Sequence, residues 1–129
     1  MERFVKGDVV VLPFPFSDLS TSKKRPVLVV SNLPGEDIIV CPITSQIKIN
    51  DFYVKLENKD FKSGKLNIKS FIRTNKLFTS HYSIVNYKIG SVNKELIKQV
   101  ENKLIEMIKK WQTTQLLEQV TIKINLATK

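Results

Sequence analysis

The 129-residue sequence contains one cysteine, Cys41, and one histidine, His81. A single thiol excludes an internal disulfide, and the two residues together leave too little for a cysteine–histidine zinc site. There is no glycine-rich phosphate loop, no His-Glu-x-x-His, no Cys-x-x-Cys and no tight carboxylate cluster of the kind a two-metal nuclease uses. Four glycines and five prolines are too few for collagen-like or linker-like sequence. No apolar run approaches the ~20 residues of a membrane span, so no membrane association is expected. The opening Met1-Glu2-Arg3-Phe4-Val5-Lys6 has charges where a signal peptide carries apolar residues, and a cytoplasmic location is expected. Acidic side chains are also scarce: 12 Asp+Glu against 21 Lys+Arg give a formal charge of +9. Such an excess favours a polyanionic partner, because cations displace the counterions condensed around phosphates.

Hydrophobic residues at 42% and charged residues at 26% suit one globular domain with a real core. Asp8 to Leu12 reads as a short valine-rich strand, interrupted by Pro13-Phe14-Pro15-Phe16. Ser17 to Lys24 is a polar loop closed by Arg25-Pro26. Val27-Leu28-Val29-Val30 and Ile38 to Ile43 are continuous apolar runs, the mark of strands buried on both faces, with a turn from Asn32 to Asp37 between them. Thr44-Ser45-Gln46 then falls at a strand end. Phe52 to Glu57 alternates loosely, Asn58 to Lys65 reads as a second basic loop, and Ser70 to Thr79 as one strand. A further short strand is expected around Ser83 to Ile89.

The period changes after Gly90. Leu96, Ile97, Val100, Leu104, Met107, Ile108 and Trp111 recur at three- and four-residue steps, the stripe of an amphipathic helix. Asn93 suits the N-cap, Glu95 the first turn and Lys109-Lys110 the last. Two conformations stay open for residues 112–129: Val120 to Ile124 alternates like a strand, and disorder is equally compatible. The expected organisation is one domain over 1–111 with a tail, mainly β, a small barrel closed or plugged by the helix.

Few single residues point to chemistry by themselves. His81 has no catalytic partner in sequence and reads as structural, and Cys41 as a small buried hydrophobe. Lys23-Lys24-Arg25 alone would be a solvated basic loop, but Arg25 opens a buried strand, where rigid scaffold meets adaptable loop.

Gly7-Asp8-Val9-Val10, Phe14-Pro15-Phe16, Lys24-Arg25-Pro26-Val27-Leu28-Val29-Val30-Ser31-Asn32 and Pro42-Ile43-Thr44-Ser45-Gln46 follow one another along the chain. In content and order they resemble the MazF/PemK family of toxin endoribonucleases. Ser70 to Thr79 resembles that family's later strand, and Ile89-Gly90 with the helix resembles its ending, so the likeness spans about residues 5–111. The resemblance implies an SH3-like barrel of the MazF/CcdB type with a C-terminal amphipathic helix, assembled as a homodimer. It implies sequence-specific cleavage of single-stranded RNA, messenger RNA being the expected class, by attack of the 2′-OH with no metal and no cofactor. It also implies a cognate antitoxin as partner.

The family's catalytic arginine falls on Arg25 and its catalytic hydroxyl on Thr44, with Ser45 as a substitute hydroxyl and Gln46 in support. These residue types suit the reaction. A guanidinium forks two N–H donors onto phosphate oxygens and a hydroxyl adds another hydrogen bond. Lys23, Lys24, Lys48 and Lys76 are expected to hold phosphates. Phe78 is expected either to stack on a base or to sit in the core. Lys76 and Phe78 occupy positions where family members often carry glutamine and a basic residue. The alternative reading is a catalytically inactive RNA- or protein-binding homologue on the same barrel, as in the CcdB-type gyrase binder.

Overall fold

A computed structural model describes the backbone of residues 3–14, 23–46 and 51–127, with side-chain surroundings for 3–13, 23–46 and 51–110. Eight strands precede one helix: β1 (Asp8–Phe14), β2 (Lys23–Asn32), β3 (Asp37–Thr44), β4 (Tyr53–Leu56), β5 (Phe61–Gly64), β6 (Ser70–Arg73), β7 (Phe78–His81), β8 (Tyr87–Val92) and α1 (Lys94–Ala127). All pairings are antiparallel, in the order β4-β6-β3-β2-β1-β8-β5, with β7 branching from β3. β3 is the corner of the sheet. Its first half, Asp37 to Val40, pairs with β7, whereas Ile43 and Thr44 pair with β6. The result is the expected mainly β architecture, a sheet curled into a half-barrel with a terminal helix.

The apolar runs of β1, β2 and β3 are continuous because each strand feeds two clusters. Val9, Leu28, Cys41 and Ile43 join Val54, Leu56, Ile72 and Val92 on one face, where Leu96 and Val100 of α1 complete the cluster. Val10, Leu12, Val27, Val29, Ile38 and Val40 form the other, with Phe4, Phe78 and Val85 packed against it. Fully burying side chains such as Leu96 and Val100 stabilises by about 1.5–3 kcal/mol each, which anchors the start of α1 to the sheet. The stripe keeps contact as far as Leu104 and loses it at Ile108, which is about half exposed, as is Ile105 beside the stripe. The side chain of Trp111 lies outside the described residues.

Several boundaries differ from the sequence reading. β1 runs on through Pro13 to Phe14, since β8 pairs with it only as far as Val11 and leaves no partner for the missing proline N–H. Lys23 and Lys24 belong to β2 rather than to a loop, opposite Phe14 and Pro13. The expected second loop contains a 3₁₀ turn, Asn58–Asp60, followed by β5. There Gly64 faces Gly90 so closely that a Cβ on Gly90 would lie 2.3 Å from the Ser63 carbonyl oxygen. The expected strand 70–79 is split by a 3₁₀ turn, Thr74–Lys76, because β6 and β7 serve different halves of β3. β8 starts at Tyr87, later than its apolar pattern suggested. The tail does not form a strand. With no proline or glycine between Lys94 and Ala127 to stop it, α1 carries the backbone through 120–124. At its other end Asn93 caps as expected, its Oδ1 accepting the Leu96 N–H at 3.0 Å.

The conspicuous Asp8 is structural. It is 4% exposed, and its carboxylate accepts from the Val5 N–H at 3.0 Å and the Ser91 hydroxyl at 2.9 Å, with the Lys88 ammonium 3.2 Å away. A buried carboxylate is tolerated only with such partners. It ties the N-terminal segment to β8. His81 likewise closes a surface turn: its Nδ1 accepts the Ser83 N–H at 3.1 Å and its Nε2 lies 2.7 Å from Glu36.

Cys41 sits wholly inside the α1-side cluster, and burial pushes its thiol from 9.0 up to about 12. Between those values the folded chain keeps a proton that the unfolded chain releases, so this group's contribution to stability falls as pH rises from 9.0 toward 12. Denaturant melts of wild type and Cys41→Ala at about pH 8 and about pH 10.5 are expected to show a steeper loss for wild type. Parallel losses would refute the assignment.

Candidate active site

The ends of β2, β3 and β6 meet on the face turned away from α1. The β2–β3 register pairs Val27 with Pro42, and two residues further along it Arg25 comes opposite Thr44. The β3–β6 register pairs Ile43 with Ile72 and Thr44 with Phe71, so Arg73 follows opposite Pro42. Strand alternation therefore puts Arg25, Val27, Pro42, Thr44 and Arg73 on one face. Val27 is buried in the outer cluster, and beyond it the row turns polar where the strands end.

A cavity of about 130 Å³ opens there, lined by Arg25, Pro42, Ile43, Thr44, Gln46 and Arg73. Two guanidiniums, those of Arg25 and Arg73, line this one small space, and their positive charge suits an anion. Arg73 is held by its cross-strand partner Tyr53, whose ring centroid is 5.8 Å from the guanidinium carbon. Its Nε is buried and has no hydrogen-bond partner, an unmet donor at the edge of the cavity. The Gln46 N–H donates to Thr44 Oγ1 at 3.1 Å. That bond occupies a lone pair and leaves the hydroxyl its own proton to donate.

Arg25 also lines a second cavity, of about 220 Å³, with Ser45 among its other walls. The geometry thus brings together Arg25, Thr44, Ser45 and Gln46 from the sequence reading. It does not bring the others. Lys23 and Lys24 are exposed on β2 and line neither cavity, and Lys76 is exposed on the 3₁₀ turn after β6. Phe78 is half-buried against the outer cluster, opposite Val40. Lys48 lies outside the described residues. Arg73 is the residue that sequence reasoning missed; its only local signal is a cation where a strand ends. Among the described residues no group of three or more histidine, cysteine, aspartate or glutamate side chains is placed to hold a metal ion. Nor is any described helix long and apolar enough to cross a membrane.

Residues 5–108 match the family model of the PemK-like, MazF-like toxins of type II toxin–antitoxin systems. No curated protein matches the sequence significantly. Among solved structures, MazF from Deinococcus radiodurans superposes with a TM-score of 0.68 at 20% identity, covering 84% of this chain and 99% of that one. A mycobacterial endoribonuclease in complex with its cognate antitoxin gives 0.67 at 14% identity, covering 83% and 96%. A MazE–MazF structure from Deinococcus radiodurans gives 0.66 at 20% identity, covering 81% and 95%. These likenesses fix the fold.

Proposed function

Because the chain belongs to the PemK/MazF family of type II toxin–antitoxin toxins, we propose that it is an endoribonuclease that cuts single-stranded RNA, messenger RNA in the first place, at a specific sequence without a metal ion. The observation that carries this reading is the small cavity where Arg25, Thr44 and Arg73 converge. In the proposed reaction the 2′-OH attacks phosphorus, the P–O2′ bond forms and the P–O5′ bond breaks. The 2′ proton passes to solvent water, and the departing 5′ oxygen takes a proton from water. Charge builds on the non-bridging oxygens, and the guanidiniums of Arg25 and Arg73, which line that space, stabilise it. A guanidinium holds its proton too firmly to give it up readily, so Arg25 and Arg73 serve as hydrogen-bond donors. The Thr44 hydroxyl supplies a further donor beside them. Nothing in this chemistry calls for a metal-bound water.

The protein would be held silent by a cognate antitoxin, as the antitoxin-bound structural relatives suggest. An acidic antitoxin segment suits a surface of charge +9. A cytoplasmic homodimer is the proposed working form; the half-exposed Ile105 and Ile108 on α1 offer apolar surface for a second copy to cover. The test is cleavage of mixed-sequence RNA in excess EDTA, with the cut sites mapped. Cuts at one recurring sequence, abolished by the antitoxin, are expected. RNA that is bound but left intact would instead favour an inactive binder.

A further inference from the structure

The 220 Å³ cavity beside Arg25 does not end at the reacting centre. Leu66, Asn67 and Ile68, in the segment between β5 and β6, line it and also line a further cavity of about 320 Å³. Arg25 and Ile43 in turn connect it with the cavity that holds Thr44 and Arg73. The three spaces adjoin one another along shared walls, and none of the reaction steps above uses the outer part of this row.

The walls of that outer part differ in kind from the reacting centre. Ile68 is 64% exposed and offers an apolar surface, and next to it Asn67 carries an amide with both donor and acceptor groups. Beyond them stand Lys69 and Lys59. Lys69 neighbours Lys55, whose ammonium pulls the Lys69 pKa down while Glu57 opposes that shift. Glu57 lies 3.7 Å from Lys55 and 3.8 Å from Lys59. Two ammonium groups therefore lie close to one carboxylate, and Lys69 adds a third positive charge to the walls of this cavity. An apolar ledge, an amide and then surplus positive charge repeat the order of a nucleotide's own parts.

We propose that these adjoining cavities form a groove that binds the nucleotide flanking the scissile phosphate, its base packed on Ile68 with an edge at Asn67 and its outer phosphate at Lys59 and Lys69. The inference rests on the RNA-cleavage reading and adds to it which residues select the neighbouring base. The cavity, several times the ~30 Å³ share of one water in the liquid, leaves room for a heterocyclic ring. Apolar packing contributes affinity for any base, and the amide adds the discrimination.

The test uses oligoribonucleotides spanning a mapped cut site, each with one flanking position made abasic. Asn67→Ala and Ile68→Ser alter exposed side chains on a connecting segment, so circular dichroism should match wild type. On intact RNA each is expected to raise KM about tenfold with kcat unchanged, within the range one stacked base contributes. On the substrate abasic at the position the groove holds, variant and wild type should coincide. Lys59→Ala with Lys69→Ala should flatten the salt dependence of binding by about 0.7 of a logarithmic unit, one phosphate contact on a single strand. Equal penalties on intact and abasic RNA would overturn the proposal, as would weaker antitoxin binding with RNA binding untouched, which would make the groove a protein interface. Anisotropy with a 2′-O-methyl oligonucleotide separates this inference from the one beneath it. Should wild type cut no RNA, lost binding in Ile68→Ser keeps the groove and drops the cleavage reading, and unchanged binding drops the groove.

Discussion

Arg25→Ala is expected to slow RNA cleavage by about 10²–10³-fold, the cost of removing a fixed donor from a charge that develops in the transition state. The residue sits where β2 meets the ends of β3 and β6 and lines both inner cavities, so it stands beside any phosphate bound there. Its neighbour Val27 is buried but Arg25 itself is exposed, so the substitution should leave the fold intact. Arg25→Lys should remain badly impaired, because an ammonium keeps the charge without the planar fork. Arg73→Ala is expected to cost less, about tenfold, because Arg25 would still hold the phosphate. The two losses should not add, as expected of residues that share one ligand. Single-turnover rates on a mapped cut site measure all of this. A folded Arg25→Ala cutting at the wild-type rate would remove the arginine from the mechanism.

How much of this was legible beforehand depends on whether the signal is local. The apolar runs 27–30 and 38–43 announce strands buried on both faces, and the two clusters are what bury them. The end of the second run is enough to place Thr44 at a strand end, and Asn93 before an apolar stripe is enough to place a cap. Arg73 is different. In the chain it is one more residue of an apparent strand from 70 to 79, and only the β3–β6 register carries it across to Pro42 and the cavity. That apparent strand also hides a turn, because its apolar pattern does not record that β3 changes partner halfway. β5 is unreadable for a similar reason. Phe61 to Gly64 has almost no apolar alternation, and its pairing relies on two glycines, Gly64 and Gly90, allowing backbones to approach where side chains would collide. Basic residues mislead in the opposite direction. Lys23 and Lys24 adjoin Arg25 in sequence, yet they line neither inner cavity, whereas Lys59 and Lys69, more than thirty residues from Arg25 in the chain, line the outer one.

A substrate with a single 2′-deoxy sugar at the cut position is expected to bind and to stay whole. The argument follows from what the inner cavity contains: two guanidiniums, a hydroxyl and an amide, with no carboxylate, imidazole or thiolate among the described residues of its walls. Such a set can bind and stabilise an anion, but it has no group of the basicity needed to make water a competitive nucleophile. Attack therefore depends on the substrate's own 2′-OH, held next to the phosphorus by the backbone itself, and that proximity replaces the activation a hydrolytic enzyme must build. Removing one oxygen deletes the nucleophile outright, whereas binding loses at most a single hydrogen bond, about 0.5–1.5 kcal/mol or roughly two- to tenfold in Kd. The intact ribose substrate should yield a 2′,3′-cyclic phosphate, or a 3′-phosphate once that ring opens, facing a 5′-OH. Mass spectrometry of the two fragments, with anisotropy for binding, reads every part of this. Cleavage of the deoxy substrate, or a 5′-phosphate on the downstream fragment, would mean that water and not the ribose attacks.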